Sequence, residues 1–379
     1  MYKRQEEELL EINEKLSVQI THGHMLPKIL WVKKHELENY QKISKVMVPH
    51  GFIAYKLTGK ETIDYDAASM IGGVFDEESL SWKPEVIESF GLNPEILPEL
   101  NPANGVIGSV SAACAAETGL SEKTKVITGV GDTFASMLGG GAYNAKHFMI
   151  YLGTSGTSMY AEGSPKEYVA CPHYGDGKAH FAGRIFSFGE SILHLRNNLR
   201  YDNWDDLNCH LDEIEPGTEG LWYFPHYKLQ TDASFFGPDA EFMMGYRGCH
   251  TQFHWYHAML EGIAYNARYN IVNFSMPIEQ INIFGGGANS KEICQMFADI
   301  IGRDLHYNPK SSTALGVAFL AGYGSGAIKV YKELTDTWFG DSTVIKPNQE
   351  RMKKYERLYE KYEELRAQIM KLDSTTKEV

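Results

Sequence analysis

The sequence predicts an α/β protein of two lobes, residues 1–145 and 146–379, with a cleft between them. Three observations predict it. The chain has 379 residues, more than a single domain of about 150 usually holds. Its texture changes: up to about residue 104 it reads as helices, loops and turns, strand-like stretches recur after that, and a hairpin pattern begins just past Tyr143–His147. Three segments, VITGVGDTFASMLGGG, LGTSGTS and IFGGGANSKEICQ, share one shape, a β-rich stretch that runs into a small-residue turn with chain continuing beyond.

The elements follow in order. Leu9, Ile12, Leu16 and Ile20 recur at helical spacing on a charged background, so the chain opens in a helix. Pro27 suits the first turn of a second helix, through KILWVKKHEL. VPHGFIAYKLTGK reads as an apolar helix closed by Gly59. Residues 61–81 read as loops around one or two short elements, and SWKPEVIESFGLNPEILPEL as a short helix stopped at Gly91 before a proline-marked turn. VIGSV is strand-like, SAACAAETGL a helix ending at Gly119, TKVITGVG a strand entering glycines, and FASMLGGG a helix ended by glycine. HFMIYLGTSGTSMYAE has strand texture on both sides of a Gly/Thr/Ser turn and reads as a β-hairpin. Residues 170–240 mix short strands, aromatic clusters and loops. TQFHWYHAMLEGIAYNARYNIVNF is a long helix, INIFGGGANSKEICQMFADIIG a strand, turn and helix, and TALGVAFLAGYGSG an apolar helix. The tail is an amphipathic helix with Met352, Tyr355, Tyr359, Tyr362 and Ile369 on one stripe.

Composition narrows the function. The apolar fraction is 43% and the charged fraction 22%, ordinary for a globular chain. Lys+Arg is 36 against Asp+Glu 49, a net charge of −13, which disfavours nucleic acid and anionic membrane as partners. No apolar stretch approaches the roughly 20 residues of a membrane span, and the opening MYKRQEEELLEINEKL is too acidic for a signal or transit peptide. Five scattered cysteines in no C-x-x-C pair read as reduced thiols, so the expected location is the cytoplasm.

The three strand–turn segments hold the candidate chemistry. Asp132 stands where a strand ends and a helix begins, beside Gly129 and Gly131; it either accepts a proton from a substrate hydroxyl or caps the helix. Gly153, Thr154, Ser155 and Gly156 offer amides and hydroxyls suited to phosphate oxygens, or form an ordinary tight turn. Gly285, Gly286 and Gly287, with Ala288 and a cap at Asn289 or Ser290, either admit a ligand closely or make a tight strand-to-helix turn. In this order and spacing they suit two β-containing lobes holding nucleotide between them. His250, His254 and His257 fall on one helical stripe, but no further metal ligand is evident and a solvated or core-edge stripe is expected.

In their order, these segments resemble the FGGY carbohydrate kinases. GFIAYKLTGKETIDYDAAS is similar to the family's Y-L-x-x-x-L-T-G-x-x-x-x-D-x-S-x-A-S segment, GVGDTFASMLGGG to its catalytic-Asp segment, YLGTSGTS to its second phosphate loop, MMGYRGCHTQFHWYHAMLEGIAY to its second signature, and GGGANSKEICQMFADIIG to its adenosine motif. LPKILWVKKHE and the stretch from ALGVAFLAGYGSG to the tail also match, and xylulokinase-like members resemble the chain more than glycerol kinases do. The resemblance implies two actin-like ATPase (ribonuclease H-like) lobes. Residues 1–145 would be the partial N-terminal kinase domain on the sugar side, and 146–379 the C-terminal kinase domain on the nucleotide side. It implies ATP with magnesium, and transfer of the γ-phosphoryl to a hydroxyl of a sugar, a pentulose such as xylulose. Asp132 would be the base and a sugar contact. Gly153, Thr154 and Ser155 would sit by the phosphates, and Gly286, Gly287 and Ala288 would line the adenosine site.

The family also opens with a strand and a D-x-G-T loop that the 379 residues do not contain. On that ground the first lobe is expected to be incomplete, with an unpaired edge or apolar face, and the chain alone to turn over little unless a separate chain supplies the segment. The alternative is a non-catalytic remnant serving as a nucleotide-binding or protein-interaction module.

Overall fold

The computed structural model describes residues 6–16, 20, 23–141, 146–154, 156–161, 179–184, 188–201, 203–225, 241–329, 337–338 and 342–376. The opening helix runs Glu6–Leu16 and stops short of Ile20. Ile20 still reaches the same core, because the Asn13 side chain accepts from its backbone N–H at 2.7 Å and donates to its carbonyl at 3.1 Å. A helix Leu26–His35 follows, with its proline in the first turn as the sequence predicts. Helix α1 (Pro49–Thr58) ends at Gly59, whose φ of 76° is a left-handed cap that costs glycine least. Helix α2 (Tyr65–Gly72) begins where Asp64 accepts from the Ala67 N–H. The short strand before it, Thr62–Asp64, pairs in parallel with Glu99–Asn101. The other described strands before residue 142 also pair only in twos, Phe75–Asp76 with Ser81–Trp82 and Val106–Ser109 with Lys125–Ile127.

Helix α3 (Asp132–Gly139) starts on Gly131, and no side chain caps it. Asp132 is therefore the first helical residue, not the cap.

The large sheet comes entirely from later residues. Strand β1 (His147–Leu152) and β2 (Gly156–Ala161) form the expected hairpin, and β3 (Ala179–Arg184) extends it. On the other side of β1 lie β4 (Gln280–Phe284) and β5 (Leu305–Tyr307), both parallel, and an antiparallel edge, β6 (Thr343–Ile345). The order is β6-β5-β4-β1-β2-β3. Helix α4 (Phe188–Leu199), the long α5 (Gln252–Val272) and α6 (Lys291–Ile301) share one core with the sheet. The tail helix α8 (Gln349–Thr376) packs its tyrosine stripe there, Tyr355, Tyr359 and Tyr362 ringing Tyr265 with centroids 6.3, 6.0 and 4.7 Å away.

Helix α7 (Thr313–Ser325) ties the two parts of the chain together by lying against α3. The approach is so close that a Cβ at Gly139 would collide with the Ser312 carbonyl, and one at Gly316 with the Ala135 carbonyl. Only glycine permits backbones this near. Around this crossing, Val130, Phe134 and Leu138 share a core with Met149, Met159, Phe284 and Phe319. The sheets thus divide near residue 145 while the packing crosses that point.

Of the two expected positions for the histidine stripe, solvated or at the core edge, the structure shows the second. His254 caps α5 through Thr251, and His257 is 2% exposed. Cys114, Cys209, Cys249 and Cys294 are free thiols. No described helix is long and apolar enough to cross a membrane.

Candidate active site

Strands β1 and β4 are parallel neighbours with Tyr151 opposite Phe284, so both leave the sheet at the same edge. The turns after them therefore lie side by side, outside the carboxyl ends of the strands, where open α/β sheets bind ligands. A cavity of about 650 Å³ opens there, lined by Gly153 and Thr154 from one turn and Gly286, Gly287, Asn289 and Ser290 from the other. Ser155 lies outside the described residues. Ala288 is 2% exposed and packs beneath the turn instead of lining the cavity.

The glycines here have different reasons. Gly285 holds φ 102°, and a Cβ on it would come 2.6 Å from the Leu152 carbonyl. Side chains at Gly153 and Gly287 would run into the rings of Tyr151 and Phe188. Packing alone accounts for these three. Gly286 is different: nothing lies within 4 Å of a Cβ built on it. Its missing side chain leaves the cavity open. Ser290 caps α6, accepting from the Ile293 N–H at 3.3 Å, and so faces the positive helix end to the same space.

Helix α4 and the chain after it supply the opposite wall, which the sequence reading missed. Arg196 is the one cation in the described lining. Its guanidinium stands 4.4 Å over the Trp204 ring, and its buried Nε has no hydrogen-bond partner. No spacing or motif in SILHLRNNLR distinguishes this arginine from a surface one.

Asp132 opens into a second cavity, of about 570 Å³, which shares no lining residue with the first. It sits where α1, α2, α3 and α7 meet, and its polar lining is His50, Asp66, Asp132, Thr133 and Thr313. Asp132 is exposed, and its carboxylate accepts from the Thr133 hydroxyl at 3.4 Å. The buried Asp64 is fully engaged, one oxygen on the Ala67 N–H and the other 2.6 Å from His50 Nε2. Burial first, then the charges of Asp64 and Asp132, push the Asp66 carboxyl well above the usual carboxylate range. His50 and Asp66 were also missed from the sequence, although two acids spaced two apart in TIDYDAAS were the available signal.

Comparisons with known proteins place the chain in a family. Residues 3–139 match the FGGY family of carbohydrate kinases, N-terminal domain, and residues 148–325 match its C-terminal domain. A xylulose kinase of Bacillus subtilis is 26% identical over 373 residues, covering 94% of this chain and 74% of its own length. One of Lactococcus lactis is 27% identical over 365 residues, covering 93% and 72%. Among solved structures, a xylulose kinase from Rhodospirillum rubrum superposes with a TM-score of 0.78 at 22% identity, covering 97% of this chain and 78% of that one. Plasmodium falciparum glycerol kinase with ADP superposes with a TM-score of 0.74 at 19% identity, covering 94% and 74%. The fold is therefore the two-lobed, actin-like α/β architecture of those proteins.

Proposed function

Because the chain belongs to the FGGY family of carbohydrate kinases, we propose that it transfers the terminal phosphoryl group of ATP to a hydroxyl of a pentulose, xylulose in the first instance. One observation carries this reading: an exposed carboxylate at the start of α3 opens into a cavity that also presents His50, Asp66, Thr133 and Thr313, while the phosphate-suited turns of β1 and β4 line a separate one. Asp132 takes the proton of the attacking hydroxyl as it adds to the γ-phosphorus, and the bond to the β-γ bridging oxygen breaks to release ADP. Gly153, Thr154 and Ser155 attend the phosphates through backbone N–H groups and hydroxyls. Gly286 and Gly287 line the adenosine end, with Ala288 packed beneath their turn, and Arg196 adds a cation at the wall.

Magnesium enters this reading with the nucleotide. The ion is usually held by one or two carboxylates together with substrate phosphates. Both oxygens of Asp64 are taken by His50 and Ala67, and Asp132 serves the sugar hydroxyl, so neither is assigned to the ion. The only described trio of converging Glu, Cys and His ligands, Glu219, Cys249 and His250, is of the softer kind and lies elsewhere. The residues fit a metal carried on phosphate rather than a preformed cage. When bound, it would neutralise charge on the transferring group.

The test is ATP-dependent phosphorylation of a ketopentose panel, D-xylulose first, followed by ADP release. Asp132→Asn should lower kcat by about 10²–10⁴-fold, the usual worth of a general base, with little change in KM for ATP. Undiminished kcat in that variant removes Asp132 from the role, and no turnover of any sugar removes the reading.

A further inference from the structure

Asp66 is the second residue of α2 and faces the cavity that holds Asp132. The residue is 6% exposed, and its Oδ1 has no hydrogen-bond partner. Around it stand Asp64 from the strand before α2, Asp132 on α3, and His50 on α1, which is already bonded to Asp64. Gly131 lies beside it, since a Cβ there would come 3.3 Å from Asp66 Oδ2. Among the described residues, no lysine or arginine lines the cavity.

A buried polar atom without a partner is costly. A carboxyl in that place, with no described lysine or arginine in the lining, is explained by a partner that arrives with the ligand. Burial and two neighbouring carboxylates favour the neutral acid, which offers one O–H donor and a carbonyl acceptor. That pair complements a hydroxyl, which also donates and accepts. Resting on the sugar-kinase reading, we propose that Asp66 binds a second hydroxyl of the acceptor sugar, beside the one Asp132 deprotonates, and so selects which sugars the cavity accepts. Asp66 is then a specificity-determining residue.

The experiment compares wild type with Asp66→Ala, Asp66→Asn and Asp66→Ser on D-xylulose, its C3 and C4 epimers and its 1-deoxy analogue. Turnover is followed by ADP release, and binding of each sugar by calorimetry. Asp66→Ala should raise KM and Kd for the preferred sugar by about 10–100-fold, the worth of a buried hydrogen bond to substrate, with KM for ATP unchanged. Asp66→Asn, which keeps a donor and an acceptor, should recover most of that loss. At least one epimer or analogue should be poor for wild type and lose its disadvantage in Asp66→Ala. In wild type, sugar affinity should fall as rising pH ionises Asp66, and that fall should be absent in Asp66→Asn. Asp66→Ser, a smaller polar side chain, reports on folding: its melting temperature should match wild type while its sugar ranking shifts. Unchanged sugar KM and ranking in a folded Asp66→Ala overturns the proposal and leaves the kinase reading standing. Weaker sugar binding in Asp66→Ala without turnover of any sugar by wild type upholds the proposal and overturns that reading. A changed magnesium requirement with unaltered sugar binding overturns it in favour of a cation ligand.

Discussion

The Thr218 hydroxyl lies 2.7 Å from Nδ1 of His257, although Thr218 occupies a left-handed backbone conformation with φ 46°. A β-branched residue is strained there and persists only where its surroundings fix it. The same hydroxyl donates to Glu261 at 2.8 Å, and the other Glu261 oxygen accepts from the Gly217 N–H at 2.8 Å. The four residues Gly217–Gly220 all have positive φ, and these buried bonds from α5 hold them. The Thr218 hydroxyl can donate toward Glu261 when that acid is ionised and toward His257 when it is neutral. The chain of hydrogen bonds is complete either way.

This arrangement predicts opposite pH dependences for two variants. Burial raises Glu261 from 4.5 to about 7, so its contribution to stability is full below 4.5 and lost as pH rises through 7. Burial, then His254 and Arg351, lower His257 from 6.5 to about 3, so its contribution is full above 6.5 and lost as pH falls toward 3. Between 4.5 and 6.5 the two oppose each other and nearly cancel. Glu261→Gln leaves the histidine alone, and its stability should fall on acidification from pH 6.5 to 5. His257→Gln leaves the acid alone, and its stability should fall as pH rises over the same range. Each slope should approach one proton, about 1.4 kcal/mol per pH unit. Urea midpoints of both variants, each referred to wild type at the same pH, are the measurement. Parallel profiles would exclude this proton balance.

Gly286 and Gly287 should separate binding from folding. A side chain at Gly287 meets the Phe188 ring, so Gly287→Leu should cost about 1–3 kcal/mol as overpacking. Gly286 has open space and no left-handed φ, so Gly286→Leu should fold with an unchanged melting temperature. Its side chain would instead fill the cavity and raise the Kd for ATP at least tenfold. Calorimetric titration of ATP with parallel thermal melts distinguishes them. Unaltered ATP affinity in Gly286→Leu would move the nucleotide out of this cavity.

What could be read in advance follows from how local each signal is. The hairpin of β1 and β2 was legible because strand texture and turn chemistry adjoin in HFMIYLGTSGTSMYAE. So was the tail, where tyrosines three and four apart mark one face of α8. Ile20 was misplaced onto the first helix because its burial comes from a side-chain clasp by Asn13, which no periodicity reveals. The GGGA turn was legible as a turn, but only coordinates separate Gly286, open to the cavity, from Gly287, held by Phe188. Asp132 could be placed at a helix start, yet its companions His50 and Asp66 come from two other helices. Arg196 reaches its cavity from α4, more than forty residues beyond Gly153 of the turn that lines it.

Arg196 supplies the last prediction. Its guanidinium is held over Trp204 at 4.4 Å before any ligand arrives, and its buried Nε is left without a partner. A fixed guanidinium loses little freedom on binding and pairs well with phosphate oxygens. Hydrogen bonds to charged groups are worth about 1.5–3 kcal/mol, so Arg196→Ala should raise KM for ATP roughly 10–100-fold. Arg196→Lys keeps the charge but neither the stacking nor the fork, and should recover only part of the loss. Trp204→Leu should weaken ATP to an intermediate degree, because the guanidinium survives but is no longer held. KM for the sugar should stay constant throughout, since Arg196 and Asp132 line different cavities. Steady-state kinetics varying ATP and sugar in turn decide the matter. A rise confined to the sugar KM, or full rescue by lysine, would mean that Arg196 does not bind the nucleotide through its fork.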